Sequence, residues 1–70
     1  MYVSYRGEIL KEKTLHSGNK AYLNAVHNDD KLVAYLVDVY TPDKHYVVSA
    51  RPFEVWNYQA AVAYYNGLQV

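Results

Sequence analysis

The chain has no cysteine, only two prolines, three glycines and one methionine in 70 residues, and its seven basic and seven acidic side chains cancel. Without cysteine, no disulfide compensates for a small core and no thiolate metal site can form. The same absence fits a reducing compartment. Zero formal charge argues against a phosphate-binding surface, because nucleic-acid affinity comes largely from neutralised phosphates. No apolar run approaches the ~20 residues of a membrane-crossing helix. The opening Met1–Arg6 also lacks the basic-then-apolar pattern of a secretion signal. These absences lead to the expectation of a single small domain, soluble and cytoplasmic, with no membrane partner.

What the chain does have is tyrosine. There are nine, with one tryptophan and one phenylalanine. Tyrosine forms strands readily. It is also enriched at protein interfaces, because it presents a large amphipathic surface at little entropic cost. Where the tyrosines fall along the chain decides between those uses.

Met1, Val3 and Tyr5 alternate weakly before Gly7. Glu8–His16 reads as an edge strand whose lysines discourage unwanted pairing, with Ile9, Lys11, Lys13 and Leu15 on one side. Ser17-Gly18-Asn19 marks a turn. Lys20–His27 is a second strand and Asn28-Asp29-Asp30 a second turn. Lys31–Tyr40 is nearly continuous in β-branched and aromatic residues, as in a central strand covered on both faces. Thr41-Pro42-Asp43-Lys44 is a turn signal with proline at its preferred position, and His45–Arg51 returns as the partner strand. A two-residue loop at Pro42-Asp43 sets Val39 opposite Tyr46, Val37 opposite Val48 and Tyr35 opposite Ala50. Those six then face the helix. A three-residue turn at Asn28–Asp30 adds Ala21, Leu23 and Ala25 to that side, and leaves Tyr22, Asn24, Val26, Leu32, Ala34 and Leu36 on the other.

The single substantial helix is expected over Arg51–Gly67. Pro52 suits the first helical position, Glu54 the first turn, and Gly67 a left-handed stop with Leu68 folding back on Ala63. At roughly 100° per residue, Phe53, Trp56, Ala60, Ala63 and Tyr64 form one apolar stripe, with Trp56 as the core anchor. Val55, Tyr58, Val62 and Tyr65 form a second stripe where a surface helix would carry charge. The expected fold is α+β: an antiparallel three- or four-stranded meander with a C-terminal helix packed on one face. The second stripe, joined by Tyr22, Leu36 and Tyr40 on the open side of the sheet, is the expected partner-binding surface. Its spacing also suits a seam between two copies.

No motif for catalysis stands out, and no cofactor is implied. His16, His27 and His45 fall beside turns, without the spacing of a zinc site. Asp29-Asp30 lacks the further oxygen ligands of an acidic metal loop. Asp38 is the one acid inside an apolar strand. Pairing with Arg51 on the next strand is the preferred reading over a catalytic carboxylate of shifted pKa. Tyr22, Tyr40, Trp56 and Arg51 supply stacking groups for a single-stranded nucleic-acid or regulatory alternative, but without a basic groove.

From Leu23 to Leu68 the order of features resembles small phage-encoded inhibitors of the anti-CRISPR or host-takeover type. The resembling pieces are Asn24–Val26, the polar turn, Lys31–Val39, the second hairpin, Ser49–Arg51 with Phe53, and the aromatic helix ending in Tyr65–Leu68. The resemblance implies a non-enzymatic protein from a phage or mobile element. Such a protein works in the host cytoplasm by occupying a surface on a host defence or metabolic protein. It transfers no functional residue to this chain.

Overall fold

A computed structural model describes residues 5–68; the alternation of Met1 and Val3 lies outside the described residues. Four strands, β1 (Tyr5–Thr14), β2 (Lys20–Asn28), β3 (Lys31–Tyr40) and β4 (Val47–Glu54), are followed by one helix, α1 (Tyr58–Gly67). The strands form one antiparallel sheet in the order β1-β2-β3-β4. The expected α+β meander is therefore the fold, with four strands rather than three. The segment Glu8–His16 is strand in its greater part, as its alternation required.

The core lies between the sheet and α1. Ala21, Leu23, Val37 and Val39 point from β2 and β3 onto Ala61 and Tyr65, and Leu15, Tyr35, Phe53, Val62, Tyr64 and Leu68 close its margins. Small residues at Ala21 and Ala61, both fully buried, let the helix approach the sheet closely. Ala61, Tyr65 and Leu68 recur at the helical repeat and so share one face.

Side-chain parity on β2 is as expected, although the turn differs. Asn28 pairs with Lys31, leaving only Asp29-Asp30 as loop, and a bulge between Val26 and His27 restores the parity. Asp29 takes the left-handed φ of 57°, which Asp tolerates better than most residues. A second bulge at Leu10 shifts β1. Ile9 opposite Asn24 consequently faces away from the helix while Lys11 and Lys13 face it, so the expected common face of Ile9, Lys11 and Lys13 does not form.

The β3–β4 register departs from expectation. Tyr35 pairs with Phe53, Val37 with Arg51 and Val39 with Ser49, not with Ala50, Val48 and Tyr46. The reasons are a loop longer than Pro42-Asp43, which shifts the pairing by two, and a bulge at Val48, which shifts it by one more. The Asp43 carboxylate accepts from the Thr41 hydroxyl and from the His45 backbone N–H, and Thr41 N–H donates to the Tyr46 carbonyl. Lys44 sits at a left-handed φ of 62°. These local bonds hold residues 41–46 out of the ladder. On the other face the pairs are Leu36–Pro52, Asp38–Ala50 and Tyr40–Val47.

The helix begins six residues later than Pro52. Pro52 lies in β4 opposite Leu36, where an edge strand accepts a residue with no N–H to donate. Glu54 ends that strand, Val55 and Trp56 form a turn closed by Asn57 N–H to the Glu54 carbonyl (2.9 Å), and the Asn57 carbonyl starts the helical ladder. This displacement rotates the helix from its expected phase. Trp56, the expected anchor, is 77% exposed, whereas Tyr65, expected outside, is 5% exposed. Ala63 is exposed and Ala60 half-buried. Gly67 does not take a left-handed φ. Instead, the Lys13 ammonium reaches over from β1 and donates to the carbonyls of Tyr65 (2.9 Å) and Leu68 (3.2 Å). A cation there adds to the Leu68 N–H bond that the Tyr65 carbonyl also accepts (3.2 Å) and suits the negative end of the dipole. The same ammonium lies 4.6 Å from the Tyr65 ring centroid.

Candidate functional site

Two features of the surface follow from this architecture. One is a recess on the sheet face that the helix leaves open. The other is a pair of exposed apolar clusters, one at the start of β4 and one in and after the turn that follows it.

The recess, of about 190 Å³, is lined by Ile9, Tyr22, Asn24, Asp38, Tyr40 and Lys44. Residues on three adjacent strands share this face through the pairs Ile9–Asn24 and Tyr22–Asp38. The long loop brings Lys44 back over it, with the ammonium 5.4 Å from the Tyr22 ring centroid. Tyr22 and Tyr40 meet edge to face at 5.8 Å. Between them Asp38 is 5% exposed and accepts from the Asn24 amide at 2.9 Å. Burial raises the Asp38 carboxyl above the ordinary range, against the opposing pull of hydrogen bonds from Tyr40 and Asn24. The neighbouring carboxylate, in turn, holds the Tyr40 hydroxyl above its usual value, with burial adding to it. Arg51 does not pair with Asp38. It lies on the helix side, with its guanidinium 5.4 Å from the Phe53 ring centroid and 5.1 Å from that of Tyr64. Chemically, the recess holds one carboxylate that accepts from the Asn24 amide and the Tyr40 hydroxyl.

The histidines lie apart from it. His27 is 3.3 Å from Glu8 and His45 is 3.2 Å from Asp43, while His16 is exposed. Among the described residues, no three His, Cys, Asp or Glu side chains gather where a metal ion could be held. No helix among them is long and apolar enough to cross a membrane.

The expected docking stripe divides. Val55 is exposed in the turn; Tyr58 is partly exposed with its ring 4.8 Å from that of Tyr35; Val62 packs against the core; Tyr65 is inside it. The four do not make one surface, because the helix starts at Tyr58 and its phase follows from that start. Tyr22, Leu36 and Tyr40 do share the open face, but Tyr22 is buried among its neighbours and the other two are half-buried. Missing from the expected set are Tyr46, Val47 and Val48, which are 71%, 55% and 55% exposed. Their run of strand formers is visible in the sequence. Placing them outside, however, required the length of the 41–46 loop. With Val55, Trp56 and Tyr58 they put large apolar side chains at both ends of β4.

No family model, curated protein or solved structure matches this chain.

Proposed function

We propose that the chain is a non-catalytic protein-interaction module that docks through β4 and the turn leading into α1. The observation that carries this reading is the set of large apolar side chains left in solvent there: Tyr46, Val47, Val48, Val55, Trp56 and Tyr58. A small soluble domain has little reason to leave so large an apolar group as Trp56 uncovered beside several others unless a partner covers them. The Asp38 recess supports catalysis less well, since its carboxylate is already engaged by Asn24 and Tyr40. The nucleic-acid alternative is also less well supported, because the Tyr22 ring is buried and not free to stack on a base. A narrower form, an inhibitor from a phage or mobile element acting on a host defence protein, draws on the likeness in feature order alone.

Affinity capture from a host extract, with the wild-type chain and with Trp56→Ala and Val48→Lys run in parallel, tests the module. A protein retained by the wild type and depleted at least tenfold by both folded variants is the expected result. Equal recovery by all three removes β4 and its turn as the docking surface.

A further inference from the structure

The two edges of the sheet are defended differently. Both edge strands carry a bulge, at Leu10 in β1 and at Val48 in β4, but only β1 is also lined with charge, from Arg6, Glu8, Lys11, Glu12 and Lys13, which hinders pairing with another strand. The outer edge of β4 is unpaired among the described residues. It carries only Arg51 and Glu54 as charges, and Arg51 leans back over Phe53 and Tyr64. Its first residues and the residue before them are exposed and apolar.

Resting on the interaction-module reading, we infer that the partner of this edge is a second copy of the chain. Its β4 would pair antiparallel with this one and join two four-stranded sheets into one. Pro52 shows which backbone groups are available. It pairs with Leu36 but cannot donate, so its nitrogen faces away from β3. Ala50, two residues earlier with no bulge between, has the same orientation and offers both its N–H and its C=O outward. A two-fold axis through Ala50 lets the two copies exchange both bonds at that residue. It sets Ser49 opposite Arg51 of the other copy. Moving the axis to Arg51 would bring two guanidinium groups face to face, which opposes that register.

The occupant is argued from the ends of the strand. Tyr46 and Trp56, the most exposed of the large apolar side chains, sit just before and just after β4. In an antiparallel pair about Ala50, with Val48 the extra residue of the bulge, Tyr46 of each copy falls opposite Phe53 of the other, near the Val55-Trp56 turn. The two-fold repeats that cover, so both exposed ends are closed by the same chemistry. An unrelated strand would satisfy the backbone groups but has no such reason to match both ends. Strand pairing keeps the faces of the two sheets in common, so both helices lie on the same side of the joined sheet.

Sedimentation equilibrium over roughly 1–100 μM chain tests the pairing. Trp56, the only tryptophan, supplies a second readout, because its emission should shift to the blue as dimer forms. The wild type is expected to reach twice the chain mass. Ala50→Pro is expected to stay folded, as Pro52 does in the same orientation, and to remain monomeric. Val48→Lys gives this edge the charge that β1 carries and is expected to weaken association at least tenfold. It serves as the check should Ala50→Pro lose its circular dichroism. A wild type that is monomeric throughout overturns the inference, as does a folded Ala50→Pro or Val48→Lys chain that dimerises as tightly as the wild type. If the wild type is monomeric while Trp56→Ala still loses a captured protein, self-pairing fails and the interaction module stands.

Discussion

Alternate residues of the same strands build the two faces of the sheet, and the two faces reach low exposure by different means. On one, Ala21, Leu23, Val37 and Val39 are covered by a second layer, the helix, through Ala61 and Tyr65. On the other, Tyr22 and Asp38 are as little exposed as Tyr65, yet among the described residues no strand or helix lies over them. Their cover is lateral: Tyr40, Asn24, Ile9 and the returning Lys44. The covered face excludes water with apolar atoms that need no partners. The open face buries a carboxylate, which must be bonded because ionised groups are costly to dehydrate. Equal exposure therefore does not mean equal contribution to stability.

The largest expected difference is between two tyrosines. Tyr65→Ala removes the centre of a two-layer core and should cost ~3–5 kcal/mol, most of the stability of a domain this small. Tyr22→Ala should cost roughly 1–2 kcal/mol, because its neighbours can relax toward solvent and leave no closed cavity. Urea denaturation of both variants measures the gap. Equal losses would break the distinction between the faces.

Lys13→Met sharpens the same contrast at its polar margin. The substitution keeps the apolar stem over Tyr65 but withdraws the donor to the last helical turn and the cation over the ring. A loss of about 1–2 kcal/mol is expected, read from the denaturation midpoint. An unchanged midpoint would mean that the covered face holds the helix by apolar packing alone.

Asp38→Asn probes the open face and has the smallest effect, in the opposite direction. Because burial raises the carboxyl, the folded chain binds this proton more tightly than the unfolded chain does. As pH rises through the ordinary carboxylate value, the unfolded chain ionises first and stability is withdrawn until the raised value is passed. At pH 7 the neutral amide should therefore be the more stable by about 1 kcal/mol. That advantage should shrink as pH falls from the raised value toward ~4, and be gone below it, where the wild-type carboxyl is protonated in both states. An amide less stable than the acid at pH 7 would show that the charge, with its two hydrogen bonds, stabilises the open face.

The strands were legible because their apolar patterns and turn residues agree, and Leu23, Val37 and Val39 were correctly set beneath the helix. Three local details were not. The Asp43 side chain competes with the ladder for backbone groups, so Pro42-Asp43 looked like a complete loop when it was the middle of a longer one. Pro52 suits a helix start and an edge strand for the same reason, its missing N–H, and only pairing with Leu36 separates the two. The bulges at Leu10, Val33 and Val48 carry no glycine to announce them. The error at Pro52 then spread through geometry. Moving the helix start to Tyr58 changed its phase, which exchanged Trp56 and Tyr65 between solvent and core and dissolved the expected docking stripe. By contrast, Tyr22, Leu36 and Tyr40 were placed on one face correctly, since strand parity survives a register shift of two.

The bond from Lys13 to the last turn of α1 spans 52 residues of chain, whereas each hairpin joins strands adjacent in sequence. Such distant closure is entropically slow compared with hairpin formation. The order of assembly follows: the meander zips first, and the helix settles only when β1 is in place to receive its carbonyls. The same order runs backwards in the native state. Helical amides should exchange with solvent through a local opening that leaves the β2–β3 ladder protected, and the exchange slows or quickens with whatever happens to a single lysine on the opposite edge of the sheet.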